Sequence, residues 1–228
     1  MPDPNTTLSH WKPAPLPRPT SLKGHAVTLD PLDAARHTTD LWEALRTHDE
    51  VWRWLGDGPH ANEASLRQAL EAKQADPASV FFAIVPAETG RIAGYASLMR
   101  MDPRNGVIEV GNVLFSPALQ RTRASTEAMY LMARHVFEDL GYRRYEWKCN
   151  AENEPSRRAA VRFGFTFEGI FRQHMVVKDR NRDTAWFAML DHEWPSRKRA
   201  FEAWLAPDNF DAAGQQRESL AAIAAALK

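Results

Sequence analysis

The sequence predicts a mixed α/β fold in which a mostly antiparallel central sheet is flanked by helices. Three short runs rich in β-branched and aromatic residues, 80–85, 91–101 and 106–115, are separated by Ala87-Glu-Thr-Gly90 and Asp102-Pro-Arg-Asn-Gly106, which read as hairpin turns. From the last of these runs the pattern becomes strand, helix, strand, helix, strand. A chain of 228 residues, 44% hydrophobic and 25% charged, has enough apolar material for one substantial core, and it shows no internal repeat.

Taken in order, residues 1–24 hold six prolines, which cannot continue a sheet or helix and favour an extended arm, with Trp11 and Leu16 as anchors against the body. Residues 25–29 open the sheet. Beyond Pro31, Leu41, Trp42, Leu45, Val51, Trp52 and Leu55 recur at roughly helical spacing as far as Gly56-Asp-Gly-Pro59, and a second helix fits 64–74. Trp42, Trp52 and Trp54 suit core packing or the wall of a pocket. Between 125 and 140, Ala128, Leu131, Met132, Val136 and Leu140 mark one helical face, closed by Gly141 at the position after the helix end. A strand over 142–149 and a helix over 154–163, stopped by Gly164, come next. Residues 165–178 and 182–191 form a final hairpin about Asp179-Arg-Asn181. The organisation is a Pro-rich arm (1–24), a main domain (25–195) and a helical extension (196–228). The Ala-Leu-Ile stripe and Trp204 of the extension suit docking on the body or on a second subunit, which would make a homodimer.

Charge narrows the partners. Lys plus Arg and Asp plus Glu are 29 each, so no global field draws the chain to nucleic acid or an anionic membrane. No apolar run approaches the length that spans a bilayer, and the first residues lack a basic segment followed by an apolar one, so the expected location is the cytoplasm. The single cysteine, Cys149, permits no internal disulfide, and nothing beside it forms a nucleophile–base signature. No metal is expected.

The chemistry concentrates in residues 108–128, which run from strand through a polar loop into a helix. Such a junction presents unpaired backbone N–H groups and the positive helix end, and so suits a phosphate; Arg121 and Arg123 would add charge. Helix starts also carry Thr, Ser and Arg for capping and solubility alone. Glu109 interrupts an otherwise apolar strand. It is either a base whose pKa partial burial raises towards neutrality, or an edge glutamate satisfied by a neighbour. His174 is a base, an acceptor contact or structural. Arg143-Arg144 and Arg157-Arg158 are surface charge or partners for a phosphate.

Gln120-Arg121-Thr122-Arg123-Ala124-Ser125 after an apolar strand, then Asn153 and Ser156 with Gly164-Phe165 eleven and twelve residues beyond the Asn, resemble the GNAT superfamily of N-acetyltransferases, in particular its RimJ/RimL-type branch. Phe167-Glu-Gly-Ile-Phe-Arg172 followed by Asp179-Arg-Asn-Arg-Asp183 is similar to that branch's closing hairpin. The resemblance covers residues 25–195 and implies a GNAT-like sheet with a splayed pair, formed by the strand ending at Phe115 and the strand over 142–149. It implies acetyl-CoA as co-substrate. Val113, Leu114 and Phe115 would pair through their backbone with its pantetheine arm. Arg121, Thr122, Arg123, Ala124, Ser125 and Thr126 would hold the pyrophosphate, and Asn153 the pantetheine from the other side. Glu109 would be the general base and Ser156 the acid for the departing thiolate.

Two departures stand out. Arg123 and Ser125 occupy the loop's small-residue positions, so a left-handed backbone at Arg123 would cost about 1–2 kcal/mol. The usual tyrosine seven residues after the Asn is Ala160. The expected function is transfer of an acetyl group from acetyl-CoA to a primary amine, on a protein N-terminus or a small amino compound, by direct attack. The alternative is a degenerate acyl-CoA-binding or interaction protein without turnover.

Overall fold

A computed structural model describes residues 7–227; the first six residues of the Pro-rich arm and Lys228 fall outside the described residues. Its strands are β1 (Leu22–Lys23), β2 (Val27–Pro31), β3 (Ser79–Pro86), β4 (Gly94–Asp102), β5 (Val107–Phe115), β6 (Arg144–Asn150), β7 (Thr166–Val177) and β8 (Arg180–Leu190). Its helices are α1 (Ala34–Leu45), α2 (Glu63–Ala75), α3 (Arg123–Arg134), α4 (Glu154–Arg162), α5 (Trp194–Leu205) and α6 (Leu220–Ala226). The strands form one sheet in the order β1-β2-β3-β4-β5-β6-β8-β7, antiparallel except for β5 beside β6.

Strand alternation gives the sheet two apolar faces. On one, Leu41 and Leu45 of α1 and Leu66 and Leu70 of α2 cover Phe81, Ala83, Tyr95 and Leu114. On the other, Ile108, Val110, Tyr145, Trp147, Ala185 and Phe187 lie under Met129 and Met132 of α3 and Phe201 of α5. Trp52 belongs to the first core, 3% exposed, and with Trp42 and His60 also lines a small recess there. The helix caps are local: the Asp33 side chain accepts from Ala35 and Arg36, and Asn62 and Ser65 form a reciprocal capping box.

Several boundaries differ from the sequence expectation. The stretch after Pro31 is not one helix. The α1 helix ends at Leu45, a single 3-10 turn, Asp49–Trp52, carries Val51 and Trp52, and Leu55 follows outside any helix. The helix ending near Leu140 closes through a wide turn in which the Leu140 N–H bonds the His135 carbonyl, five residues back. The last hairpin turns at Lys178-Asp179, both at positive φ (49° and 58°), between the paired Val177 and Arg180, so the turn begins one residue before the expected Asp179-Arg-Asn181 and is one residue shorter. Trp11 anchors the arm: its indole donates to the Arg104 carbonyl at 2.8 Å and lies under Arg143. Leu16 is exposed and anchors nothing. Leu220, Ile223 and Trp204 of the C-terminal segment pack into the core beneath α3, so the apolar stripe docks on the body.

One buried carboxylate ties the sheet's start to α3. Glu127 accepts from the backbone N–H groups of His25 (2.9 Å), Ala26 (2.5 Å) and Val27 (3.1 Å). Gly24 is required beside it, because a Cβ there would fall 2.5 Å from the Glu127 carboxyl carbon. Glu127→Ala should orphan these donors, at about 1–3 kcal/mol for the buried Val27 N–H alone. Urea unfolding should show a lower midpoint for Glu127→Ala, partly restored in Glu127→Gln; equal midpoints for all three proteins would show that the contact is not stabilising.

Candidate active site

The site is a gap in the sheet. Strands β5 and β6 pair from Val107↔Arg144 to Val110↔Trp147 and then part, leaving the far end of β5 hydrogen-bonded only to β4. Asn112 causes the divergence. It sits at φ 51° in a bulge where the register against β4 jumps from Gly111↔Ser97 to Leu114↔Tyr95. A bulge bends its strand and re-phases the side-chain alternation. Accordingly Ile108, Val110, Val113 and Phe115 all face the α3 side, while Leu114 packs under α1 and α2. The backbone of Val113–Phe115 thus has no β6 partner; Leu114 stays paired with Tyr95 of β4, and on the open side the Phe115 carbonyl accepts from Gln120 Nε2 at 3.1 Å, a contact an extended ligand would have to replace.

At the top of the gap lies the start of α3. Thr122 caps it, its hydroxyl accepting from the Ser125 N–H at 3.1 Å. The N–H groups of Arg121, Arg123 and Ala124 have no acceptor among the described residues, as expected of a helix N-terminus that can hold an anion. The left-handed residue of the loop is Arg121, at φ 61°. Arg123 opens the helix and escapes the strain expected of it. Its side chain is also not free for a phosphate: the guanidinium donates to the Leu205 carbonyl and lies 4.7 Å from the Phe210 ring centroid. A cation the sequence reading missed stands nearby. Arg162, in the last turn of α4, donates to Thr126 at 3.1 Å, and burial lowers its pKa. Arg143 lies against the Trp11 ring, Arg144 pairs with Glu146 and Glu168, and Arg157 and Arg158 pair with the exposed Glu154.

Across the gap, Asn153 caps α4, accepting from the Ser156 N–H at 3.2 Å. The Ser156 hydroxyl accepts from the Trp147 indole at 3.0 Å, which leaves its own proton free to donate elsewhere. Beside it, burial pushes the Cys149 thiol above its ordinary range, with the Ser156 hydroxyl pulling the other way.

Glu109 lies on the opposite face of the sheet from Ile108 and Val110 and is 4% exposed. Its Oε2 is 3.0 Å from the Lys148 ammonium and 3.6 Å from Arg100. The contact with Lys148 is ionic and not an aligned hydrogen bond, since Oε2 has no hydrogen-bond donor of good angle. Lys148 bridges onward to Glu146 at 2.7 Å, directly beside Glu109 on the parallel strand, and its ammonium stands 3.7 Å over the Trp186 ring. Burial raises the Glu109 pKa, and Lys148 and then Arg100 pull it back. His174 contacts the Thr184 hydroxyl at 3.0 Å and is held below its ordinary value by burial and by Arg100, Arg182 and Lys148.

Comparison with known proteins decides the family: residues 26–166 match the acetyltransferase (GNAT) domain. The chain belongs to the GNAT acetyltransferases. This acetyltransferase superimposes with a TM-score of 0.94 on the crystal structure of a GCN5-related N-acetyltransferase from Brucella melitensis, with 49% identity over 96% of this chain and 100% of that one. It is 30% identical to the uncharacterized N-acetyltransferase p20 of Bacillus licheniformis over 64% of this chain and 83% of that one. It is 27% identical to the ribosomal-protein-serine acetyltransferase of Escherichia coli K12 over 43% of this chain and 55% of that one. The reaction of the family is transfer of the acetyl group of acetyl-CoA to an amine, and the open β5 backbone and unpaired α3 amides fit that co-substrate. Among the described residues no cluster of three His, Cys, Asp or Glu side chains is arranged to hold a metal ion, and no helix is long and apolar enough to cross a membrane.

Proposed function

We propose that the protein is a cytoplasmic RimL-like N-acetyltransferase that acetylates an α-amine, on a protein N-terminus or a small amino compound, by direct attack with Glu109 as base. The observation that carries this reading is the buried Glu109 carboxylate on the strand that opens into the gap. The co-substrate supplies an activated acetyl thioester. The backbone of Val113, Leu114 and Phe115 would extend along its pantetheine arm. The α3 start, from Arg121 through Thr126, would hold its pyrophosphate, chiefly through the amides of Arg121, Arg123 and Ala124, and the Asn153 amide group would meet the arm from the α4 side. Glu109, its Oε2 held by Lys148, offers Oε1 to take the proton of the incoming amine. Ser156, its oxygen already accepting from Trp147, returns a proton to the leaving sulfur.

The α-amine preference follows from proton energetics. At pH 7 an α-amino group costs roughly 1 kcal/mol to deprotonate, and a lysine side chain roughly 4.6, at about 1.36 kcal/mol per pKa unit. Arg100 and Lys148 around Glu109 favour the neutral amine further. Thiol release from acetyl-CoA should be faster with peptides bearing a free N-terminus than with N-blocked peptides carrying a lysine. The reverse order would sink the reading, and coenzyme binding without turnover on any amine would favour a degenerate binding protein.

Direct attack excludes an acyl-enzyme on Cys149. The thiol is buried, its pKa is raised, and no base activates it. Cys149→Ala should therefore keep most of the turnover. An acetylated Cys149 that chases into product would overturn the direct route.

A further inference from the structure

An alternating chain of charges crosses the Glu109 face: Arg100 to Glu109, Glu109 to Lys148, Lys148 to Glu146, Glu146 to Arg144, and Arg144 to Glu168. It contains three cations and three carboxylates and balances internally. Arg182 stands beside it and outside it. No salt bridge or hydrogen bond among the described residues uses its guanidinium, and its Nε is enclosed without an acceptor. Burial lowers its pKa, with Arg100 adding to the effect and Cys149 and Glu109 opposing it, so Arg182 shares one electrostatic neighbourhood with the proposed base. Arginine stays charged regardless. Strand alternation puts Arg182 on the side of Thr184 and Trp186, opposite Ala185 and Phe187, which pack in the α3-side core. It therefore belongs to the Glu109 face.

A half-buried guanidinium without a counter-ion is costly, and the described residues supply none. It also repels a protonated amine on its way to Glu109. A ligand carrying its own anion next to the amine removes both penalties. We infer that Arg182 is an anion-binding residue of the acceptor site, and that the acceptor is an amine with a carboxylate or similar anion close to the nitrogen. This inference rests on the Glu109 face being where the acceptor enters. Two sources supply such chemistry: the α-carboxylate of a free amino acid, or an acidic side chain near a peptide N-terminus.

The test is calorimetric binding to protein saturated with coenzyme A. It uses two matched pairs: L-serine against L-serinamide, and the C-terminally amidated peptides Ser-Asp-Ala against Ser-Asn-Ala. In one pair the acid should bind at least about tenfold more tightly than its neutral partner, the scale of one charge-assisted hydrogen bond. The pair that discriminates names the source. Arg182→Gln should abolish the ratio, and Arg182→Lys should keep part of it. Because Arg182 has no partner to orphan, Arg182→Gln should unfold no earlier than wild type. Acid and neutral ligands binding alike in both pairs, a ratio that survives Arg182→Gln, or no binding of either acid at millimolar concentration overturns the inference. Binding is read without turnover. A protein that prefers the acids yet releases no thiol from acetyl-CoA with them loses the proposed catalytic function and keeps this anion site.

Discussion

Glu109→Gln should lower kcat at pH 7 by about 10²–10⁴-fold, the usual contribution of a positioned base, while leaving the affinity for acetyl-CoA unchanged. The substitution keeps shape and removes basicity. It also leaves Lys148 paired with Glu146 at 2.7 Å, so the surrounding ion pairs do not collapse. Burial holds the Glu109 carboxyl above the ordinary carboxylate range, which brings its basicity closer to the working pH. The defect should shrink as pH rises towards the amine's own pKa, where the amine arrives already deprotonated. The measurement is kcat and coenzyme Kd for both proteins from about pH 6 to 9.5, the upper end lying beyond the α-amine range. Wild-type kcat throughout would make Glu109 structural, and loss of coenzyme binding would place it in the wrong half of the site.

Glu109 was legible in the sequence because a carboxylate in an apolar strand is expensive and has to be compensated by something. The spacing of Asn153, Ser156, Gly164 and Phe165 was legible because helix caps are local: Asn153 caps α4 and the chain leaves that helix through Gly164 at φ 91°. The bulge at Asn112 was only partly legible: Gly111-Asn112 is the pair in the strand that tolerates a left-handed backbone, but the register slip it makes against β4 shows only in the assembled sheet. The engagement of Arg123 was hidden for a similar reason, its partner Leu205 being 82 residues away. Lys148 and Arg182 are the instructive misses. Lys148 belongs to no motif and drew no reading from the sequence. A local clue existed, in that Glu146 and Lys148 alternate with apolar Tyr145, Trp147 and Cys149 and so form a charged stripe on one face of β6. That this stripe meets Glu109 depends on the parallel register of β5 and β6, which only the assembled sheet provides.

Replacing Lys148 by methionine should therefore have two large and linked effects. The Lys148 and Glu109 side chains are each 6% exposed and 3.0 Å apart, and Lys148 also holds Glu146. Removing one partner of a buried ion pair costs about 3–5 kcal/mol where the other is left alone, and less here, because Glu146 keeps Arg144 at 2.7 Å while Glu109 keeps only the longer 3.6 Å contact with Arg100. The pH dependence of this loss has a definite sign. Lys148 opposes the burial that raises the Glu109 pKa, so its removal raises that pKa further. A carboxyl whose folded pKa lies above its unfolded value stabilises the fold below the unfolded pKa and loses that contribution as pH rises through the folded one. The variant should consequently be most destabilised on the alkaline side and recover towards wild type as Glu109 protonates on acidification. Catalysis should move in the same direction: the acidic limb of kcat/KM shifts to higher pH, and the rates of variant and wild type converge above it. Thermal unfolding and kcat/KM, each followed across the same pH series, check the two effects together. A limb that stays in place while stability falls would confine Lys148 to holding the strands, and a limb displaced to lower pH would show that a group other than Glu109 takes the proton.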